Sequence, residues 1–99
     1  MSGSYKVTFA VSAVEDLEEV RAWYVSQQVP EVGGRLIGEV VSQVERLTEL
    51  PECGRIVPEF GVATLREIIH PPFRIVYRLE KARVRIVRVW RSERLLKLP

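Results

Sequence analysis

Two periodicities of hydrophobic residues alternate along the chain, and each predicts a different element. Tyr5, Val7 and Phe9 alternate with polar residues, which predicts a half-buried first strand with these three side chains facing inward. Ser12, with Glu15 following in the next turn, predicts a capping box that opens a helix. The apolar stripe of that helix consists of Ala13, Leu17, Val20 and Tyr24.

A second helix is predicted directly after the first. The first helix should end near Gln27–Gln28, because Pro30 cannot continue it and instead suits the first turn of the next helix. Gly33–Gly34 either weakens that turn, by about 1 kcal/mol each relative to Ala, or allows close contact with the first helix. The inner face of the second helix, which stops before Pro51, carries Val32, Leu36, Val40, Val44 and Leu47. So short a connection predicts an antiparallel hairpin of helices.

The rest of the chain is predicted to be one irregular segment and three strands. Residues 51–61 are punctuated by Pro and Gly and read as a loop. The strands are Thr64–Ile69, Phe73–Glu80 and Arg83–Trp90. The apolar pattern of the last strand shifts phase after Ile86, which indicates either burial on both faces or a β-bulge.

Together these elements predict an α+β fold. An N-terminal strand and an αα-hairpin precede a three-stranded antiparallel meander, and the helices pack on one face of the sheet. A chain of 99 residues with 46% hydrophobic residues has room for a single domain, residues 1–99. We expect residues 1–4 to be disordered or a remnant of cloning.

Composition excludes several kinds of site. One cysteine, Cys53, and one histidine, His70, predict neither an internal disulfide nor a metal site. Without a leader-like or membrane-spanning apolar run, the chain is expected in the cytoplasm and away from membranes. The sequence has no phosphate-cradling Gly-rich loop and no Ser-His-Asp order, so we expect no cofactor and no small-molecule substrate.

Charge is strongly polarised along the chain. Residues 66–99 contain eight Arg and two Lys against three Glu, a net charge of +7, whereas residues 1–65 carry −5. This asymmetry indicates a basic surface for a nucleic acid or an acidic protein partner. Its arginines are Arg74, Arg78, Arg83, Arg85, Arg88, Arg91 and Arg94.

Four segments of the sequence carry a resemblance to a known family. They are Leu50–Arg55, Leu65–Ile68, Phe73–Arg78 and Val84–Arg91. In this order they resemble the RelE/ParE superfamily of bacterial toxins from type II toxin–antitoxin systems, over about Tyr5 to Leu96. The resemblance implies a small cytoplasmic toxin with a cognate antitoxin that wraps and neutralises it.

The superfamily implies two alternative activities. RelE-like members cut mRNA in the ribosome, for which Arg66 would clamp the phosphate and His70 or Glu93 would act as acid or base. The structural alternatives are that Arg66 pairs with a nearby carboxylate such as Glu67 or Glu80 or lies solvated on the sheet, and that His70 is a solvated turn residue. ParE-like members bind and block DNA gyrase without established catalytic residues.

The C-terminal stretch favours the gyrase-binding branch. Residues 90–94 offer no Tyr, His or Lys pair, and an arginine is a poor acid–base group because it keeps its proton. We therefore predict a toxin that binds DNA gyrase, in a complex that includes DNA. The predicted target contacts are Trp90, Arg91, Arg94, Arg74 and Arg88. A third alternative is a diverged, non-toxic assembly partner.

Further residues are assigned to the antitoxin and to the core. The antitoxin is expected in the groove between helices and sheet, on Trp23, Val25, Val29, Arg78 and Arg85. Without it, exposed apolar residues on the helices would favour a homodimer of the free chain. Tyr77 is predicted to pack in the core, and Trp90 either stacks on a partner or caps the core beside Trp23.

Overall fold

A computed structural model describes residues 4–91 of the chain. Its elements are β1 (Lys6–Phe9), α1 (Val11–Ser26), α2 (Pro30–Glu45), a single 3-10 turn (Arg46–Thr48), β2 (Arg55–Ile56), β3 (Leu65–His70), β4 (Phe73–Glu80) and β5 (Arg83–Arg91). The five strands form one sheet in the order β1-β5-β4-β3-β2. β1 runs parallel to β5, and the other neighbours are antiparallel. Residues 1–3, which belong to the segment expected to be disordered or a remnant of cloning, and residues 92–99 lie outside the described residues.

The predicted α+β arrangement is confirmed. α1 and α2 pack on one face of the sheet, and the core between the layers contains the apolar positions that the two periodicities selected, among them Ala13, Tyr24, Leu36, Val40, Val44, Phe73, Ile75 and Tyr77. Gly33 allows the close helix contact, since a Cβ there would lie 3.0 Å from the Cβ of Tyr24. The short strand β2, within the segment predicted to be irregular, was missed. Neither helix in residues 4–91 is long and apolar enough to cross a membrane.

The phase shift in β5 reflects both of its possible causes. β5 lies between β1 and β4, and its register against β4 jumps at Val87, because Val76 pairs with Arg88 while Tyr77 pairs with Ile86. A residue inserted in this way is a β-bulge. The bulge lies where β1 ends, since Phe9 is the last residue of β1 that pairs with β5.

The predicted capping box is wrong, and the bulge explains why. α1 begins at Val11 with Ala10 as its N-cap, and no side chain caps it. The Ser12 hydroxyl instead donates to the carbonyl oxygen of Val87 at 2.6 Å, and the Ala10 amide donates to the carbonyl of Ile86 at 2.8 Å. The start of α1 thus supplies hydrogen-bond donors to carbonyls of β5 at the bulge, where pairing with β1 has ended.

Tyr77 confirms its predicted place in the core and also fixes the segment before β3. Its buried hydroxyl donates to the carbonyl oxygen of Pro51 at 2.8 Å and accepts from the Gly54 amide at 2.9 Å. Burial raises the pKa of Tyr77, so the hydroxyl stays protonated and can donate. Only a glycine fits at Gly54, since an added Cβ would lie 2.6 Å from the backbone oxygen of Glu67.

Candidate functional site

The face of the sheet opposite the helices, called here the open face, carries a buried ion-pair network. Glu67 is only 1% exposed, and its carboxylate accepts from Arg55 Nε at 2.8 Å and from Arg74 Nε at 2.7 Å. Arg74 is 8% exposed and donates to both carboxylate oxygens of Glu59, at 3.2 and 3.3 Å. The network fastens the segment after β2 to β3 and β4.

This network changes the role of Arg74, which the sequence assigned to target contact. The hydrogen bond to Glu67 is the main cause that raises the pKa of Arg74, and the hydrogen bond from Arg74 holds the pKa of Glu59 below its usual range. A buried guanidinium that already serves two carboxylates has little capacity left for a partner. Arg74 therefore has a structural role in this network.

Arg88 forms a second ion pair, with the first helix. Asp16 accepts from Arg88 Nε at 2.8 Å and Nη2 at 2.9 Å, and the Val89 amide also donates to it, at 2.8 Å. The hydrogen bond to Asp16 raises the pKa of Arg88, and its guanidinium lies 4.7 Å from the centre of the Trp90 ring. Asp16 thus covers the edge of β5 beyond the bulge, while Arg88 supports Trp90.

The nuclease candidates do not form one constellation. Arg66 donates to the carbonyl oxygens of Ala63, Gly54 and Glu52 at 3.0, 3.1 and 3.4 Å, so it is held by the backbone, and neither pairing with a nearby carboxylate nor simple solvation on the sheet describes it.

His70 is also not a simply solvated turn residue, because its Nε2 lies 3.1 Å from Glu39 Oε1 on α2. Arg66 and His70 are four positions apart on β3, or about 13 Å along the strand. Glu93, the other acid–base candidate, lies outside the described residues. Within residues 4–91 no group of three or more side chains could hold a metal ion.

A cleft of about 500 Å³ opens between α1 and the end of β5. It is lined by Asp16, Glu19, Val20, Trp23, Arg88, Val89, Trp90 and Arg91. Trp23 is 50% exposed and packs edge-to-face on Tyr24 with ring centres 4.8 Å apart. The Arg91 guanidinium lies 5.4 Å from the Trp23 ring centre, and Arg91 donates to the Tyr24 hydroxyl at 3.4 Å.

This tryptophan cleft, named for Trp23 and Trp90, brings together three of the predicted target contacts. Trp90, Arg91 and Arg88 all line it, whereas Arg94 lies outside the described residues. Trp90, which was expected either to stack on a partner or to cap the core beside Trp23, lines the same cleft as Trp23. A half-exposed Trp23 and a partly buried Trp90, each with a guanidinium group nearby, are typical of a surface that binds a macromolecule.

A second basic surface lies at the other end of the open face. It consists of Lys6 on β1, Arg78 on β4, and Arg83 and Arg85 on β5, all exposed, and is called here the cation patch. The register places Lys6 beside Arg83 and Arg85 beside Arg78. Among residues 4–91, none of the four forms an ion pair within 4.0 Å. Like charges directly opposite one another destabilise a sheet.

The predicted antitoxin contacts divide between two faces. Trp23 and Val25 are exposed on α1, whereas Arg78 and Arg85 belong to the cation patch on the opposite side of the sheet. Val29 is half-buried and packs against the core. One short segment of a partner therefore cannot contact all five residues.

Sequence reasoning missed the carboxylates that neutralise the arginines. Asp16 and Glu67 are buried, and each joins its arginine from another element. The sequence did contain a signal for Glu67. It is a charged residue in the middle of a strand, at a position between Leu65 and Ile69 on the same face where an apolar residue is expected.

Comparison with known proteins identifies the family. The sequence model of a protein family, described as the ParE toxin of the type II toxin–antitoxin system parDE, matches residues 7–96. The chain belongs to the ParE toxin family. No curated protein matches the chain at a significant level.

Two solved structures share the fold of this ParE family member. A chain of the chromosomal ParDE toxin–antitoxin system from P. aeruginosa has a TM-score of 0.78 at 24% identity, covering 93% of this chain and 100% of that chain. A chain of the RelBE2 toxin–antitoxin complex from Mycobacterium tuberculosis has a TM-score of 0.66 at 21% identity, covering 94% of this chain and 98% of that chain. At these identities the likeness shows the common fold, with two helices on a five-stranded sheet.

Proposed function

We propose that this chain is a toxin that arrests growth by binding DNA gyrase in the cytoplasm, and that a cognate antitoxin neutralises it. Membership of the ParE family over residues 7–96 supports the toxin role. The observation that favours binding over catalysis is the state of Arg66, which would clamp the phosphate in a nuclease. Arg66 is hydrogen-bonded to three backbone carbonyls.

The hydrogen bonds that Arg66 already makes weigh against mRNA cleavage for a chemical reason. Attack of a 2′-hydroxyl on the adjacent phosphate needs an uncommitted cation for the developing charge and an acid–base pair within hydrogen-bond reach. In residues 4–91, Arg66 would have to release its carbonyls first, and His70 lies about 13 Å away along the strand. A toxin that acts by binding needs none of these groups.

The tryptophan cleft is the proposed contact surface for gyrase. Trp90 and Trp23 supply large apolar rings at its mouth, and Arg91 adds a guanidinium beside them. Such aromatic and arginine anchors provide most of the binding energy in many interfaces. Arg94, which follows in the tail, is proposed to extend this contact.

The antitoxin is proposed to cover the exposed apolar residues of α1. Trp23 and Val25 are each about half exposed, although both side chains are large and apolar. Both solved relatives come from toxin–antitoxin systems, which supports a partner on this fold. Because Trp23 also lines the tryptophan cleft, an antitoxin bound there would exclude gyrase. The same surface is proposed to drive homodimerisation of the free chain.

A supercoiling assay with purified gyrase tests the proposal. We expect the chain to inhibit supercoiling and the double variant R91E/R94E to lose at least about tenfold in potency, as expected for loss of anchor residues. The matched control R21E/R46E changes the same charge on the helices and should inhibit like the parent. Discrete cuts in a translated mRNA with unimpaired gyrase would overturn the proposal in favour of a RelE-like nuclease. Harmless overproduction without an antitoxin would favour a non-toxic assembly partner.

A further inference from the structure

The cation patch is a separate surface from the tryptophan cleft. Arg85 and Arg91 are six positions apart on β5, which corresponds to about 20 Å along the strand. Lys6, Arg83 and Glu80 form one row across three strands, and Arg85 and Arg78 lie in the next row. Neighbouring strands are about 4.8 Å apart, so the four cations are concentrated on a rigid surface of about 10 Å by 7 Å.

Within residues 4–91, Arg55, Arg66, Arg74 and Arg88 have internal hydrogen-bond acceptors, whereas the patch cations have no ion pair. Arg55, Arg74 and Arg88 have carboxylate partners within 2.8 Å, and Arg66 has three carbonyls. Within residues 4–91 the patch cations have no ion pair, although Glu80 lies directly opposite Arg83. The patch therefore keeps its hydrogen-bond donors and its charge available for an external anion.

The surroundings of the patch favour phosphate over an acidic protein. Protein partners are held by apolar or aromatic anchors in pockets, with charges at the rim. The exposed large apolar residues lie elsewhere, on the helices, the segment before β3 and the end of β3: Val11, Val14, Trp23, Val25, Val41, Leu50, Ile56, Phe60, Val62 and Ile69. A surface of cations without anchors matches the phosphate backbone of a nucleic acid, where binding is largely electrostatic.

We propose that the cation patch binds the phosphate backbone of duplex DNA. Arg78, Arg83 and Arg85 contact phosphate oxygens, and Lys6 contributes a fourth charge. Contact of this kind carries no sequence preference, because it reads only the backbone. The role of this contact would be to hold the toxin on the DNA that gyrase engages, and that role rests on the proposed function. The binding itself requires no gyrase.

Fluorescence anisotropy with a labelled mixed-sequence duplex of about 20 base pairs tests this directly on the full chain. Four phosphate contacts predict that log K falls with log salt with a slope of about −3 to −4 between about 50 and 200 mM. The triple variant R78Q/R83Q/R85Q should bring the slope to about −1 and weaken binding at low salt at least about tenfold. The charge-conserving R78K/R83K/R85K should keep the slope.

The matched control is R21Q/R35Q/R46Q, which removes the same number of charges from the helix side of the molecule. It should leave the slope unchanged. An equal loss in both triple variants would overturn the assignment, because it would show attraction by net charge alone. Tight binding of poly-glutamate that R78Q/R83Q/R85Q abolishes, without duplex binding, would also overturn it and identify an acidic protein as the partner.

The result is separable from the test of the proposed function. If R78Q/R83Q/R85Q loses duplex binding while the parent fails to inhibit gyrase, the patch assignment stands and the gyrase proposal fails. If the parent inhibits gyrase but binds no duplex at about 50 mM salt, the patch assignment fails alone. Circular dichroism of each triple variant checks that the fold is retained, since removal of mutual repulsion should not unfold it.

Discussion

Arginines at one end of the sheet are held in ion pairs, whereas those at the other end have none among residues 4–91. Where β4 begins and β5 ends, Arg74 and Arg88 are held by Glu67 and Asp16 at 2.7 to 2.8 Å. Around the β4–β5 turn, Arg78 and Arg85 lie directly opposite each other, and neither has an ion pair among residues 4–91. The same residue type therefore holds the fold together at one end and remains available for a partner at the other.

This difference teaches how to interpret a basic half of a chain. The charge of +7 in residues 66–99 suggested one continuous binding surface. Buried carboxylates from other elements remove some of that charge from the surface and turn it into tertiary contacts. Among residues 4–91, the cations without an ion pair and the residues of the tryptophan cleft are the candidates for recognition, and the predictions for Glu67, Asp16 and the cation patch test the two sides of that division.

The largest effect is expected at the buried end. Glu67→Gln leaves Arg74 with Glu59 alone and leaves Arg55 without its carboxylate, and breaking a buried pair in this way costs about 3 kcal/mol of unfolding free energy. Chemical denaturation measures the change. Glu80→Gln, an exposed carboxylate on the same face, is the control and should stay within about 0.5 kcal/mol. A Glu67→Gln cost as small as that of the control would show that the network adds nothing to stability.

A smaller loss is expected at the bulge. Asp16→Asn removes the charge that accepts two hydrogen bonds from Arg88 and one from the Val89 amide, so we expect a cost of about 2 kcal/mol. Glu19→Gln changes a neighbouring acid that lines the tryptophan cleft and should be close to neutral. Chemical denaturation of the two variants and the parent measures the change in unfolding free energy. Equal stability of both would contradict the role given to Asp16.

The comparison also shows what the sequence could predict. Periodicity located both helices and four of the five strands, because each buries a regular apolar face, but it placed the end of the second helix near Pro51 whereas α2 ends at Glu45. It could not locate β2, two residues long, which pairs with β3 through contacts such as Arg55–Glu67. The capping box failed for a similar reason, since a carbonyl at the distant Val87 competes for the Ser12 hydroxyl.

The candidate site was predictable only in part. Trp90 and Arg91 could be chosen as contacts from their place in a basic aromatic strand end, and both line the tryptophan cleft. The ion pair between Arg88 and Asp16 could not be foreseen, because the two residues are 72 positions apart. Such pairs depend on how helices and strands are arranged, which local patterns do not encode.

Substitution in the cation patch should raise the stability of the fold, in contrast to the losses expected for Glu67→Gln and Asp16→Asn. R78Q/R83Q/R85Q removes repulsion between directly opposed cations, so we expect stability to rise by about 0.5 kcal/mol at low salt. The gain should shrink in high salt, where exposed charges are screened. Thermal unfolding at two salt concentrations measures it, with R21Q/R35Q/R46Q as the control of equal charge. A loss of stability on the scale expected for Asp16→Asn would mean that the patch arginines stabilise the fold.

The smallest expected effect concerns acid stability at the contact between α2 and the end of β3. A hydrogen bond from His70 is the main cause that lowers the pKa of Glu39 below its ordinary 4.5, with Arg35 adding to it. A lowered folded-state pKa contributes stability that is present above the ordinary value and is lost as pH falls through the folded value. Denaturation at a series of pH values should therefore show a shallower acid loss for Glu39→Gln and for His70→Gln than for the parent. Glu18→Gln, an exposed acid with no ion pair within residues 4–91, is the control, and an equally shallow curve for it would contradict the assignment.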